Sequence, residues 1–237
     1  MRQEACNVPS VDRYARLMPA IGKLLENNRR WSRQMLEASP HFFEGLAQIQ
    51  APKFLWIGCA DSRVPSSQIT GTTPGQIFTH RNVANVVVHT DLNCLSVLHY
   101  AVEVLKVEHV IVCGHYGCGG VQAAMNGARL GLVDNWLRHI RDVHLKHALR
   151  IEEQPPARRF DALCELNVIE QCMNVCQTTI VQDAWTRGQA LGVHGWIYGL
   201  KDGLINDLGF HAQRPEDTTP SYGNAVAGVR KRASAEV

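Results

Sequence analysis

The chain has no apolar run approaching the ~18–20 residues that a bilayer-spanning helix needs, so no segment of it is expected to cross a membrane. It has no strong bias of charge either. Basic and acidic residues are interspersed and the net charge is only +2, which removes the basic face expected of a nucleic-acid binder. The opening Met1-Arg2-Gln3-Glu4-Ala5-Cys6 lacks the charged-then-apolar design of a secretory signal. Internal repeats and fibrous composition are absent as well. Cysteine is plentiful at eight residues, but without an export signal the expectation is a reduced, cytoplasmic protein. The spare thiols, including Cys113, Cys172 and Cys176, then read as small buried hydrophobes.

At 237 residues and 45% hydrophobic, the chain is long enough for one sizeable core. Residues 1–20 read as an arm, followed by helical patterns over Ile21–Leu36 and His41–Gln48. Lys53–Gly58 is a near-continuous apolar run, as in a strand buried on both faces. Further strands are expected at Gln76–His80, His109–Gly114 and Val193–Leu200. Helices are expected over Leu92–Leu105, Leu132–Leu149 and Asp161–Arg187. Asp202-Gly203 is a tight-turn signal leading into Leu204–Leu208. The expected fold is therefore α/β: a mainly parallel sheet with an antiparallel edge strand, flanking helices and an N-terminal helical arm. The polar, small-residue stretch 215–237 reads as a mobile tail after a domain spanning 21–214. His139, His144 and His147 read as a solvated helix face.

Ligands in such folds bind beyond the carboxyl ends of the strands. Two strand ends release metal-binding side chains: Cys59, within Cys59-Ala60-Asp61-Ser62-Arg63, and His115, within His115-Tyr116-Gly117-Cys118. Two thiolates and one imidazole form a soft tetrahedral set suited to Zn²⁺. Three protein ligands leave a fourth position open, the pattern of a catalytic site, where zinc brings the pKa of water to about 7. Asp61 and Arg63, two residues apart, suit a carboxylate that orients a nucleophile and a guanidinium that fixes the carboxylate. A Cys–His nucleophile built on Cys118 or Cys59 lacks a third orienting partner.

These paired motifs, with Phe54-Leu55-Trp56-Ile57-Gly58-Cys59, His80-Arg81-Asn82-Val83-Ala84-Asn85 and His194-Gly195-Trp196-Ile197-Tyr198-Gly199, resemble the β-class carbonic anhydrases, specifically their bacterial members. The resemblance runs from about residue 27 to 210. It implies one zinc per chain on Cys59, His115 and Cys118, with an Asp61–Arg63 dyad orienting the nucleophile for reversible hydration of carbon dioxide to bicarbonate. It also implies a homodimer or tetramer, with residues 21–50 as a helical dimerisation arm that embraces the partner. The sequence further resembles the subset with a regulatory bicarbonate site, on Trp56, Arg81 and Tyr198. In that subset Asp61 swings onto the metal as fourth ligand in a closed state and the Val64 loop acts as the gate. Ser67 departs from the Glu that members of the subset often carry. Two other readings stay open on the same scaffold: hydrolysis of a CO₂ analogue such as carbonyl sulfide or carbon disulfide, and a non-enzymatic zinc sensor of bicarbonate.

Overall fold

The structure is a computed structural model describing residues 11–48 and 50–232. It divides into two compact units, one up to Gln50 and one from Ala51 onward. In the first unit, α1 (Val11–Ala38) is followed by the short α2 (Phe42–Gln48). Residues 11–20, expected as part of an N-terminal arm, belong to α1, with Pro19 inside it; residues 1–10 lie outside the described residues. Trp31 meets the Phe43 ring edge-on at 5.6 Å, and Phe43 meets Phe42 at 5.1 Å. Ile21, Leu24 and Leu25 recur at helical spacing and remain exposed.

The second unit is built on a five-stranded sheet in the order β2-β1-β3-β4-β5. Its strands are β1 (Phe54–Cys59), β2 (Ile77–Asn82), β3 (His109–His115), β4 (Gly192–Tyr198) and β5 (Ile205–Ala212). All neighbouring pairs run parallel except β4–β5, which is antiparallel with a bulge at Gly195/Trp196. The expected α/β architecture is therefore the one observed. β1 lies between β2 and β3, with Gly58 level with Arg81 on one side and Cys113 on the other. Their carboxyl ends consequently emerge together.

Side chains alternate across the sheet. One face, with Leu55, Ile57, Val110 and Val112, joins the main core under the helices. The other gathers Trp56, Ile111 and Cys113, with Trp196 and Tyr198 packed against them. The short α3 (Ser66–Ile69) leads to β2, and α4 (Leu92–His99) is N-capped by Asp91, whose carboxylate accepts from Asn93 N at 3.0 Å. After β3 come α5 (Gly119–Met125), α6 (Val133–Lys146), α7 (Ala148–Glu152) and α8 (Arg159–Gln177), then α9 (Thr179–Thr186). The single helix expected over Asp161–Arg187 is broken at Thr178. That residue is extended, and its hydroxyl accepts from Val181 N to cap α9. Cys172 and Cys176 are fully buried core thiols, as their apolar neighbours suggested.

The stretch expected as a mobile tail is instead α10 (Pro215–Arg232), packed on β5 and α8; residues 233–237 lie outside the described residues. Ala225, Val226 and Val229 form its buried stripe. A polar hub secures it: Glu170 of α8 accepts from Tyr222 (2.6 Å) and Lys146 (2.8 Å) and pairs with His147 (2.6 Å). His147 is thus buried rather than on a solvated face. Burial alone would raise the Glu170 carboxyl, but His147, Lys146 and Tyr222 outweigh it and hold the group down at about 2. A depressed carboxylate adds stability above its ordinary value near 4.5, and that stability is lost as pH falls toward the folded value. Glu170→Gln is expected to destabilise the protein by roughly 2–3 kcal/mol at neutral pH. The difference from the parent should shrink between pH 4.5 and 2, as read from denaturant midpoints at each pH.

Candidate metal centre

Cys59 is the last residue of β1, His115 the last of β3, and Cys118 sits in the loop opening α5. All three are at most 5% exposed. One ligand atom from each falls within 4.8 Å of the others. The two sulfurs are 3.9 Å apart, close to the ~3.8 Å edge of a tetrahedron with Zn–S bonds of about 2.3 Å. His115 Nδ1 donates to the Tyr116 carbonyl at 3.0 Å. That bond fixes the tautomer and leaves Nε2 with its lone pair free. Nε2 is buried with no hydrogen-bond partner, a costly arrangement that a metal ion resolves. The donor set therefore fits zinc.

A hydrogen bond from Cys118 holds the Cys59 thiol far below its ordinary value, and the Cys118 thiol is pushed up in turn. The two sulfurs are close enough for one to donate to the other. Asp61 N also donates to Cys59 Sγ at 3.4 Å.

Asp61 and Arg63 form a two-pronged ion pair. The guanidinium grips both carboxylate oxygens, Nε to Oδ1 at 2.9 Å and Nη2 to Oδ2 at 2.7 Å, and Arg63 N adds a third bond to Oδ1 at 2.9 Å. These bonds hold Asp61 well below the usual carboxylate range. Arg63 is itself tied to the second loop through the Gly117 carbonyl at 3.4 Å. Asp61 Oδ2 also lies 3.7 Å from the bare His115 Nε2.

Trp56 and Tyr198 fall in one cluster on the sheet face away from the main core. Arg81 of β2 donates to the carbonyls of Cys59 (2.8 Å), Asp61 and Val64 (3.1 Å). It therefore braces the whole loop carrying the dyad, and Val64 is buried beneath that loop.

Among the described residues one other cluster has metal-like donors: His80, Asp91 and Cys94. There the Asn82 amide is oriented by two bonds to Val86, and its nitrogen donates to His80 Nε2 at 3.2 Å. The other ring nitrogen then carries the proton and has no lone pair to offer. At the far end of the sheet His109, His194 and His211 form a line, at 3.1 and 3.0 Å, ending on Asp207. Their nitrogens point at one another rather than at a common centre.

Sequence reading missed three amides of α8. Asn167, Gln171 and Asn174 all bond the segment 83–87 beside the metal ligands. Their i, i+4, i+7 spacing along one face of α8 was the available signal.

A mainly parallel sheet thus carries a candidate Cys–His–Cys zinc centre beyond adjacent strand ends. The family model for carbonic anhydrase matches residues 54–205. A carbonic anhydrase of Emericella nidulans is 49% identical over 84% of this chain and 87% of its own length. The β-carbonic anhydrase of Coccomyxa, solved with acetazolamide, superposes with a TM-score of 0.80 at 37% identity, covering 91% of this chain and 97% of that one. One of two tetrameric β-carbonic anhydrases from the filamentous ascomycete Sordaria macrospora gives 0.77 at 37% identity, covering 82% and 99%. The chain belongs to the β-carbonic anhydrase family. It is a carbonic anhydrase whose family uses one zinc, and its likeness is not confined to bacterial members.

Replacing Cys118 by Ser should reduce zinc, measured by elemental analysis of dialysed protein, from about one per chain to a small fraction of that. Full retention would remove Cys118 from the ligand set.

Proposed function

We propose that this carbonic anhydrase hydrates CO₂ with zinc held by Cys59, His115 and Cys118, and with Asp61 and Arg63 as the orienting dyad. The observation that carries the reading is Asp61: clamped by Arg63 on both oxygens, it still keeps Oδ2 3.7 Å from the one bare ligand nitrogen. When bound, zinc supplies the Lewis acidity that makes water a nucleophile near neutral pH. Asp61, held as an anion, accepts a hydrogen bond from that nucleophile and aims its lone pair at the CO₂ carbon. Arg63 keeps the carboxylate unprotonated and fixed in direction. The proton released on hydration passes to buffer.

The same carboxylate is the switch in the closed state, where it leaves Arg63 to serve as fourth metal ligand. Bicarbonate at Trp56, Arg81 and Tyr198 would favour that state by drawing the Arg81 guanidinium from the carbonyls of Cys59, Asp61 and Val64. The loop is then free to rearrange. With Ser67 in place of a Glu, less negative charge frames this anion. The exposed Ile21, Leu24 and Leu25 of α1 suit a second copy of the chain, and the tetrameric Sordaria relatives support assembly beyond a dimer. The absence of any helix long and apolar enough to cross a membrane, among the described residues, is compatible with a cytoplasmic enzyme.

Stopped-flow CO₂ hydration tests these assignments. Asp61→Asn should retain zinc but lose about a hundredfold or more in kcat. Full activity would refute the dyad, and an inactive zinc-loaded parent would leave the bicarbonate sensor standing. Because Asp61 is held below the ordinary carboxylate value, it stays ionised throughout pH 6.5–9. The rise of activity across that range should therefore persist with a changed amplitude but not a changed direction in Arg63→Lys. Arg81→Ala should keep its zinc and show weaker bicarbonate inhibition; an inhibition curve identical to the parent's would remove Arg81 from the regulatory site.

A further inference from the structure

Only Tyr116 and Gly117 separate the ligands His115 and Cys118. Gly117 lies in the left-handed region at φ 71° and has no side chain with which to pack. What fixes this loop must therefore act through the backbone or through the Tyr116 side chain.

Tyr116 is held at three points. Its N–H donates to the Tyr198 carbonyl of β4 at 3.0 Å. Its carbonyl accepts from His115 Nδ1 at 3.0 Å. Its hydroxyl donates to Glu165 Oε1 of α8 at 2.8 Å. The bond from His115 orients the imidazole, so the placing of the Tyr116 carbonyl decides where His115 Nε2 points.

Glu165 is an uncommon residue for its surroundings. It is fully buried, and its chain neighbours Cys164 and Leu166 belong to the main core. Burying a carboxylate is costly unless it is paired and hydrogen-bonded. Arg158 offsets that cost: its Nη2 donates to the same Oε1 at 3.2 Å, and its Nη1 donates to Asp161 Oδ2 at 3.2 Å. The guanidinium also stands 6.0 Å from the centre of the Tyr116 ring. An apolar pair at positions 116 and 165 would pack at lower cost. It would not fix a side-chain tip in one direction, as a hydrogen bond to a charged acceptor does.

We propose that Glu165 is a positioning residue for the metal centre: through the Tyr116 hydroxyl it anchors the loop joining His115 to Cys118, so that the Tyr116 carbonyl holds the His115 ring in one orientation for the ion. The same loop carries the Gly117 carbonyl, which accepts from Arg63 Nη2 at 3.4 Å. The anchor therefore also steadies the guanidinium that clamps Asp61. The proposal rests on His115 being a zinc ligand, as above.

Tyr116→Phe tests it, because it removes the hydroxyl and leaves the ring. Cobalt loading of the full chain gives a readout independent of turnover. The parent should show a thiolate-to-cobalt charge-transfer band and visible d–d bands whose positions report the ligand geometry. In Tyr116→Phe the d–d bands should shift. Zinc affinity, measured by competition with a chromophoric chelator, should fall by about tenfold or more, within the range for loss of an outer partner. Glu165→Leu should do the same. Glu165→Gln keeps an oxygen for the hydroxyl and should hold the bands at the parent position. Tyr116→Phe combined with Glu165→Leu should lose no more affinity than the weaker-binding single variant, since both act on one bond. Unchanged bands and zinc affinity in Tyr116→Phe, whatever its melting temperature does, would show a purely structural role and overturn the proposal. Losses that add in the double variant, or Glu165→Gln bands displaced like those of Tyr116→Phe, would overturn it too. Should Glu165→Leu not fold, Tyr116→Phe and Glu165→Gln carry the test. A parent without any thiolate band would instead sink the ligand assignment beneath it.

Discussion

Everything at this site depends on one pairing: β1 and β3 run parallel and adjacent, so Cys59 and the His115–Cys118 loop leave the sheet at the same end. Parallel strands need a long crossover, and here residues 60–108 supply it. The detour is where the remaining chemistry is stored. It contains Asp61, Arg63, the Arg81 brace and the segment 83–87, all returned to the strand ends by β2 pairing on the other side of β1.

The metal ligands are deeply buried, which makes their protonation a shared property. The two sulfurs lie 3.9 Å apart and the buried His115 Nε2 has no hydrogen-bond partner. A divalent ion gives all three donors a partner at once and competes with protons for the sulfurs, so metal affinity falls at low pH. Asp61 is different because it sits at the rim, tied to a largely exposed Arg63. Solvent screens the pair, so its value to the protein lies in direction more than in stability. A carboxylate held by two parallel bonds cannot rotate freely.

The sequence made the metal centre readable because its signals are local. Cys59-x-Asp61-x-Arg63 and His115-x-x-Cys118 each follow an apolar strand, and strand ends are easily recognised. The sheet was legible for the same reason, to within a residue or two at each end except in β5, which runs four residues further, to Ala212. What escaped is non-local. The stretch from Pro215 is polar, with Pro220 and two glycines, and looks mobile by composition. It is helical because Tyr222 reaches Glu170 and because Val226 and Val229 find a surface made by β5 and α8. The amides of α8 looked like incidental polar positions on a core helix. Their meaning appears only when the backbone of residues 83–87, some eighty positions earlier, is laid against them.

Trp56 and Cys59 are three apart on β1 and so project from opposite faces of the sheet. An anion held at Trp56 cannot touch the metal ligands directly, and the sheet between them is packed tightly enough that small side-chain shifts will not cross it. Beyond the strand itself, the backbone from Cys59 to Val64 joins the two faces, and Arg81 holds that backbone by its carbonyls at three points. Arg81 reaches this loop from the strand position level with Gly58, where a side chain on β1 would stand in the way of the Trp56 indole. Communication between the two faces therefore reduces to a competition for one guanidinium: three backbone carbonyls on one side, an anion on the other. That competition ties the proposed regulation to the same loop that carries Asp61, the carboxylate proposed to orient the nucleophile.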